Sequence, residues 1–199
     1  MITRVYIDGY KSFKDFELEM KNLMVIFGPN ASGKSNLLDA LNLISKIVTE
    51  KNVKEAFKYH RGLPLESYYK QSDENEKNSH ILNFEVDVKL SNSIINEIEK
   101  KIVEMRKGLQ PKDKKIKKIR EKNLRYILKL EIRPEGEVRI INENLIPIRR
   151  DGQIKKSRNA FLETKNNRIR LRMEGQARPS EYDIGLDHSI ISEKPYLPY

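Results

Sequence analysis

The chain contains no cysteine among its 199 residues, so disulfides and thiolate metal sites are closed to it. Its three histidines, His60, His80 and His188, are too scattered for metal-ligand spacing. No run of about 18 apolar residues occurs, so no membrane span is expected. The opening MITRVYIDGY lacks the apolar segment of a secretory signal. These absences lead to the expectation of a soluble cytoplasmic protein. Apolar residues make up 38% and charged residues 34%. That suffices for a core, with part of the chain standing out into solvent or against a partner.

The net charge of +10 is unevenly placed. Residues 100–125 carry 12 Lys/Arg against 3 Asp/Glu, and residues 149–172 carry 9 against 2, so the remainder is mildly acidic. Two basic islands of this kind are an electrostatic footprint for a polyanion such as nucleic acid. They are equally what a solvated helix face and exposed strand edges would give. Lys112, Lys114, Lys115, Lys117 and Lys118 in the first island, and Arg168, Arg170 and Arg172 in the second, are the candidate DNA contacts. The three arginines alternate with Ile169, Leu171 and Met173, which places them on one strand face.

Apolar alternation predicts strands over Ile2–Tyr10 and Phe13–Met20, joined by a turn at Gly9 and Lys11-Ser12. The continuous apolar run Leu23–Phe27, LMVIF, predicts a strand buried on both faces. A helix is expected from about Gly33 to Glu50, with Leu37, Leu41, Ile44 and Val48 on its apolar stripe. Residues 51–80 read as polar and irregular. Leu82–Leu90 and Leu124–Ile132 alternate cleanly and predict two more strands. Between them Asn92–Lys107 carries an isoleucine stripe, read as an amphipathic helix packed on the core and broken at Gly108 and Pro111. Pro134–Gly136 turns the chain into Val138–Asn142. Asn166-Asn167 turns it into Arg168–Met173. Ala177–Tyr199 shows no period. The expected class is therefore α/β, with an antiparallel β-subdomain and a basic helical insertion at about 91–123. Residues 1–60 form a nucleotide-binding core and residues 61–199 the subdomain.

Between the buried run and the first helix lies Gly28-x-x-x-x-Gly33-Lys34-Ser35, a full Walker A pattern. Chance gives such a match roughly once in a hundred chains of this length at average residue usage, and its strand–turn–helix setting narrows the odds further. Glycines let the backbone curl until successive N–H groups face one anion, and the helix N-terminus adds its positive dipole end. The loop residues Gly28, Pro29, Asn30, Ala31, Ser32 and Gly33 form the cradle. The Lys34 ammonium reaches the β- and γ-phosphates, and the Ser35 hydroxyl ligates Mg²⁺. No guanine-reading Asn-Lys-x-Asp is present, so ATP is the expected nucleotide.

Hydrolysis also needs an acidic residue at the end of a second buried strand and a group that positions water. No run of four apolar residues ending in Asp follows Phe27, and no LSGG-like stretch occurs. The chain is expected to bind nucleotide and to need help to turn it over, with no catalytic residue of its own. A non-enzymatic basic module with a vestigial phosphate loop is the alternative. A small P-loop kinase ranks behind both, because the β-rich remainder offers no arginine-bearing lid.

The hairpin GYKSFKDFELEM followed by LMVIFGPNASGKSNLLDALNLI resembles the ATPase heads of the RecF/SMC/OLD branch of ABC-type ATPases, close to RecF-like AAA family ATP-binding proteins, several of them linked to phage defence. The resemblance is specific over residues 1–50 and looser beyond. It implies a two-lobed head of which this chain is similar to the N-terminal lobe alone. Signature sequence, Walker B and switch histidine would belong to a C-terminal lobe carried elsewhere, by continuation of the chain or by another polypeptide. It further implies ATP sandwiched between two heads, hence a homodimer when complete. Lys11 matches a basic position near the nucleotide in such heads. Asn30 matches an asparagine beside the γ-phosphate, and Asn36, after GKS, fits the same pattern. Asp39, one turn beyond Ser35, is within reach of the metal but is expected rather to cap or face solvent.

Overall fold

The computed structural model describes residues 1–70, 78–105, 118–166, 168–174, 176–183 and 187–192. Eight strands form one sheet: β1 (Ile2–Asp8), β2 (Phe16–Glu19), β3 (His80–Lys89), β4 (Asn123–Ile132), β5 (Val138–Pro147), β6 (Leu162–Lys165), β7 (Arg168–Leu171) and β8 (Ser180–Asp183). The spatial order is β2-β1-β3-β4-β5-β6-β7-β8, and every pairing is antiparallel. From β3 onward the sheet is thus a meander. Among the described residues three α-helices accompany it: α1 (Lys34–Ile47), α2 (Val53–Lys58) and α3 (Asn92–Met105).

One sheet face makes the core because the period-two pattern puts its apolar residues there. Val5 and Ile7 of β1, Leu82, Phe84 and Val86 of β3, and Tyr126, Leu128, Leu130 and Ile132 of β4 are buried together. The same cluster takes Leu37, Ala40, Leu43, Ile44 and Ile47 from α1 and Val53, Ala56 and Phe57 from α2. The sheet and this core run without a break across residue 60. The buried stripe of α1 follows a helical period, one position away from the expected one for two members: Leu41 and Val48 lie at its margin, and Ala40 and Leu43 at its centre.

Helix α2 falls in the stretch expected to be irregular. Asn52 caps it, its side chain accepting from Glu55 N at 2.8 Å, and that Asn-x-x-Glu pattern is the local signal that composition hid. Strand β8 likewise forms without any sequence period, as an edge strand paired to β7. In the insertion, Ile95 of α3 is buried while Ile94 and Val103 are exposed, so the isoleucine stripe is only partly covered. Lys112, Lys114, Lys115 and Lys117 lie outside the described residues.

The run Leu23–Phe27 overturns an expectation. It forms no strand, and Leu23, Val25 and Phe27 are 85%, 76% and 90% exposed. A strand apolar on both sides needs layers packed on both faces of its sheet, and each described strand is already placed in the antiparallel sheet. The observed class is therefore a mixed one, an antiparallel sheet with three helices, rather than an α/β core built around a parallel strand. Phe27→Ser is accordingly expected to leave the unfolding free energy of this chain within about 0.5 kcal/mol of wild type. Phe84→Ala, at a fully buried position, should cost about 3–5 kcal/mol. Urea melts of the two variants make the comparison.

Candidate phosphate site

Glycine at 33 is what joins the loop to its helix. Gly33 is the N-cap of α1 in the left-handed region, at φ 88°, a conformation that residues with a Cβ adopt at a cost. A Cβ there would also stand 3.0 Å from Ser12 Oγ, so the loop and the β1–β2 turn are in close contact. Ala31 is left-handed as well, at φ 65°, which curls the chain between the two glycines. The first intrahelical bond runs from Leu37 N to Gly33 O at 3.1 Å, and no side chain caps the helix. The N–H groups of Lys34, Ser35 and Asn36 therefore have no intrahelical acceptor and open on the loop.

The Lys34 ammonium turns back into this loop. It donates to Gly28 O at 2.7 Å, Pro29 O at 2.5 Å and Ser32 Oγ at 3.3 Å. A cation is thus already seated among loop oxygens, next to a helix start whose first amides have no intrahelical partner, and both features favour an anion. The Ser35 hydroxyl is exposed at the helix start. Among the described residues no group of three His, Asp or Glu could hold a metal ion. The Ser35 hydroxyl is the oxygen at the helix start open to a metal carried in with a polyphosphate, were one bound there.

The β1–β2 turn lies along one flank. Asn36 Nδ2 donates to Ser12 Oγ at 2.9 Å. Lys11, at φ 46°, donates through Nζ to Asp39 Oδ2 at 2.9 Å and to Arg61 O at 3.1 Å. Asp39 is thus neither a cap nor solvent-facing. Its side chain is 16% exposed, with Arg61 Nε a further 3.9 Å away. It anchors Lys11, and its pairing makes it a poor metal ligand. Lys11, Ser12, Asn36, Arg61, Glu66 and Lys70 line an open groove of about 590 Å³ beside the start of α1. Sequence reading picked out Lys11 and Asn36 by resemblance. It singled out Asp39 by its spacing of four from Ser35, and missed its pairing with Lys11.

The basic islands are less free than their sequence implied. Arg168 and Arg170 both pair with Glu181, at 3.3 and 2.9 Å, and Arg172 pairs with Glu163 at 3.3 Å. Glu181 is held below the usual carboxylate range, chiefly by its hydrogen bond from Arg170. Lys118 is exposed. No described helix is long and apolar enough to cross a membrane.

The family model for the AAA ATPase domain matches residues 1–171 of this chain. Comparison with curated proteins gives no match.

Proposed function

The chain belongs to the AAA ATPase domain family, and from that premise we propose that residues Gly28–Asn36 bind Mg·ATP as the N-terminal lobe of a RecF/SMC/OLD-type head. The domain is a nucleotide-binding one of ATPase type. What supports the specific site is one observation: the Lys34 ammonium sits inside a curled loop, at a helix start whose amides lack partners. On binding, phosphate oxygens replace Gly28 O and Pro29 O around that ammonium, and the loop amides take the remaining oxygens. Lys11 flanks the phosphates, Asn30 lies toward the γ-phosphate, and Ser35 completes the Mg²⁺ shell.

Turnover, in this reading, belongs to a C-terminal lobe and to pairing of two heads. The exposed run Leu23–Phe27 supports it. Burying such residues is worth about 1.5–3 kcal/mol each, and strands of a second lobe would bury them on both faces. The work of the head is DNA-related or defensive, in the cytoplasm. Any polyanion contact is assigned first to the lysines at 112–118, because the arginines at 168–172 are held by glutamates.

Mg·ATP at a hundred times its Kd should stabilise the chain by about 2.7 kcal/mol. For this size that is a melting shift on the order of 5–10 °C. Lys34→Ala removes charge-assisted contacts worth about 1.5–3 kcal/mol each, so the shift should vanish while the unliganded melting temperature stays put. A wild-type chain whose melt and calorimetric trace ignore Mg·ATP would end this reading. DNA binding unaffected by Lys34→Ala, in a chain blind to ATP, would favour a basic scaffold instead.

A further inference from the structure

His60 lies just past α2, at the start of the loop that carries Arg61 and Gly62 to the groove. Its Nδ1 is 3.1 Å from Gly62 O, an acceptor, so Nδ1 carries the proton and donates. Its Nε2, 2.7 Å from the Tyr10 hydroxyl, is then the acceptor of a Tyr10 O–H bond. In the neutral ring, which burial favours, the partners fix this tautomer. Tyr10 is fully buried, packed edge-on against both His60 and Phe84. From the next residue, Lys11 N donates to Ser67 O at 2.9 Å and Lys11 Nζ to Arg61 O. Tyr69 N closes the other side on Gly9 O at 2.8 Å. The loop of residues 60–69 and the β1–β2 turn are therefore clamped together, with the Tyr10–His60 bond at the centre. That turn is the one touching Gly33 and Asn36.

We propose that His60 is a positioning residue for the phosphate site. As a neutral ring bridging Tyr10 and Gly62 it fixes the backbone of Arg61, which in turn holds Lys11 beside the phosphate loop. This rests on the reading that the loop binds a nucleotide, and it adds a requirement outside the Walker A pattern. Without the bridge the Lys11 and Arg61 cations lose their fixed stance, and ordering them again on binding costs affinity.

The environment of the ring agrees. Burial holds His60 below its usual range, with Lys11 adding to that, while the Gly62 carbonyl, Asp39 and Glu66 pull the other way. Phe57 packs against it from α2 at a centroid distance of 5.2 Å, and Ser67 Oγ approaches Nδ1 at 3.5 Å. Protonation makes Nε2 a donor and strands the Tyr10 O–H in a buried site. The contribution of the bridge is therefore complete above the unfolded-state histidine range and is lost as pH falls through the lower native value.

The test is Mg·ATP affinity by calorimetry in wild type, Lys34→Ala, His60→Ala, Tyr10→Phe and the double variant of the last two, each with its melting temperature without nucleotide. Wild-type binding lost in Lys34→Ala confirms the premise independently. His60→Ala and Tyr10→Phe should then each weaken ATP about tenfold, the loss of roughly one positioning contact, and the double variant should be no weaker than either. Wild-type affinity should drop on acidification from pH 7 to pH 5 more steeply than that of Tyr10→Phe. Should His60→Ala unfold, Tyr10→Phe, which keeps the ring and its packing, decides alone. Wild-type affinity in Tyr10→Phe, or additive losses in the double variant, would overturn the proposal.

Discussion

Gly9→Ala is expected to lower the melting temperature by on the order of 10 °C, more than alanine at any other described glycine. Two costs combine at Gly9. Its φ of 77° lies where a Cβ is unfavourable, by about 1 kcal/mol. The added Cβ would stand 2.3 Å from Ile81 O and 3.5 Å from Ile81 C, both main-chain atoms of β3. A flexible side chain could swing aside, but this carbonyl belongs to the central strands of the sheet. Relief requires β1 to move away from β3, an overpacking cost of about 1–3 kcal/mol. The sum is about 2–4 kcal/mol. Gly152→Ala is the control. It shares the positive φ, at 82°, yet its nearest atoms are side-chain atoms at 3.7 and 3.9 Å. It should cost about 1 kcal/mol. Equal effects in thermal melts would show that the close approach of Ile81 carries no weight.

Asp87→Ala should cost about 2–4 kcal/mol in urea unfolding. Asp87 lies on β3, on the face away from the main core, with its side chain only 3% exposed. Arg125 of β4 grips it with two bonds, Nε to Oδ1 at 2.6 Å and Nη2 to Oδ2 at 2.8 Å. The register makes this pair, because Asp87 and Arg125 are direct cross-strand partners. Removing the carboxylate leaves a largely buried guanidinium without its main counter-charge, and that penalty, more than the lost attraction, sets the size. Glu85 Oε2, 3.7 Å from Arg125, and Gly152 O, 3.1 Å away, take up part of the deficit, so the upper end of the range is not expected. Lys58→Ala breaks the exposed Lys58–Glu55 pair and should change stability by no more than about 0.5 kcal/mol. If Asp87→Ala were as mild as that, the bidentate pair would be decoration rather than support.

Most strands were legible because a half-buried strand writes its burial into alternate residues. Leu82 to Leu90 and Leu124 to Ile132 show this, and β3 and β4 formed there. The phosphate loop was legible for a different reason. Curling a backbone around an anion needs glycine at set positions, with lysine and a hydroxyl beside it, and those needs are local. Helix α2 was hidden because six residues hold too little periodicity to read, although its Asn52 cap was in plain view. Strand β8 was hidden because an edge strand with three exposed residues has no pattern to show.

Leu23–Phe27 misled for the opposite reason. Five consecutive apolar residues record an environment buried on both sides, and the chain described here does not supply one. Local pattern alone carried the loop, the helix behind it and the alternation that sorts the longer strands into an inner and an outer face. Which charges are free was settled by how the chain folds back on itself. The pairing of Lys11 with Asp39, the clamp of Tyr10 on His60 and the quenching of Arg168 and Arg170 by Glu181 join residues between 11 and 50 positions apart. Hydrophobic period encodes what a residue does with water. It carries no record of which distant partner a charge or a hydroxyl will meet.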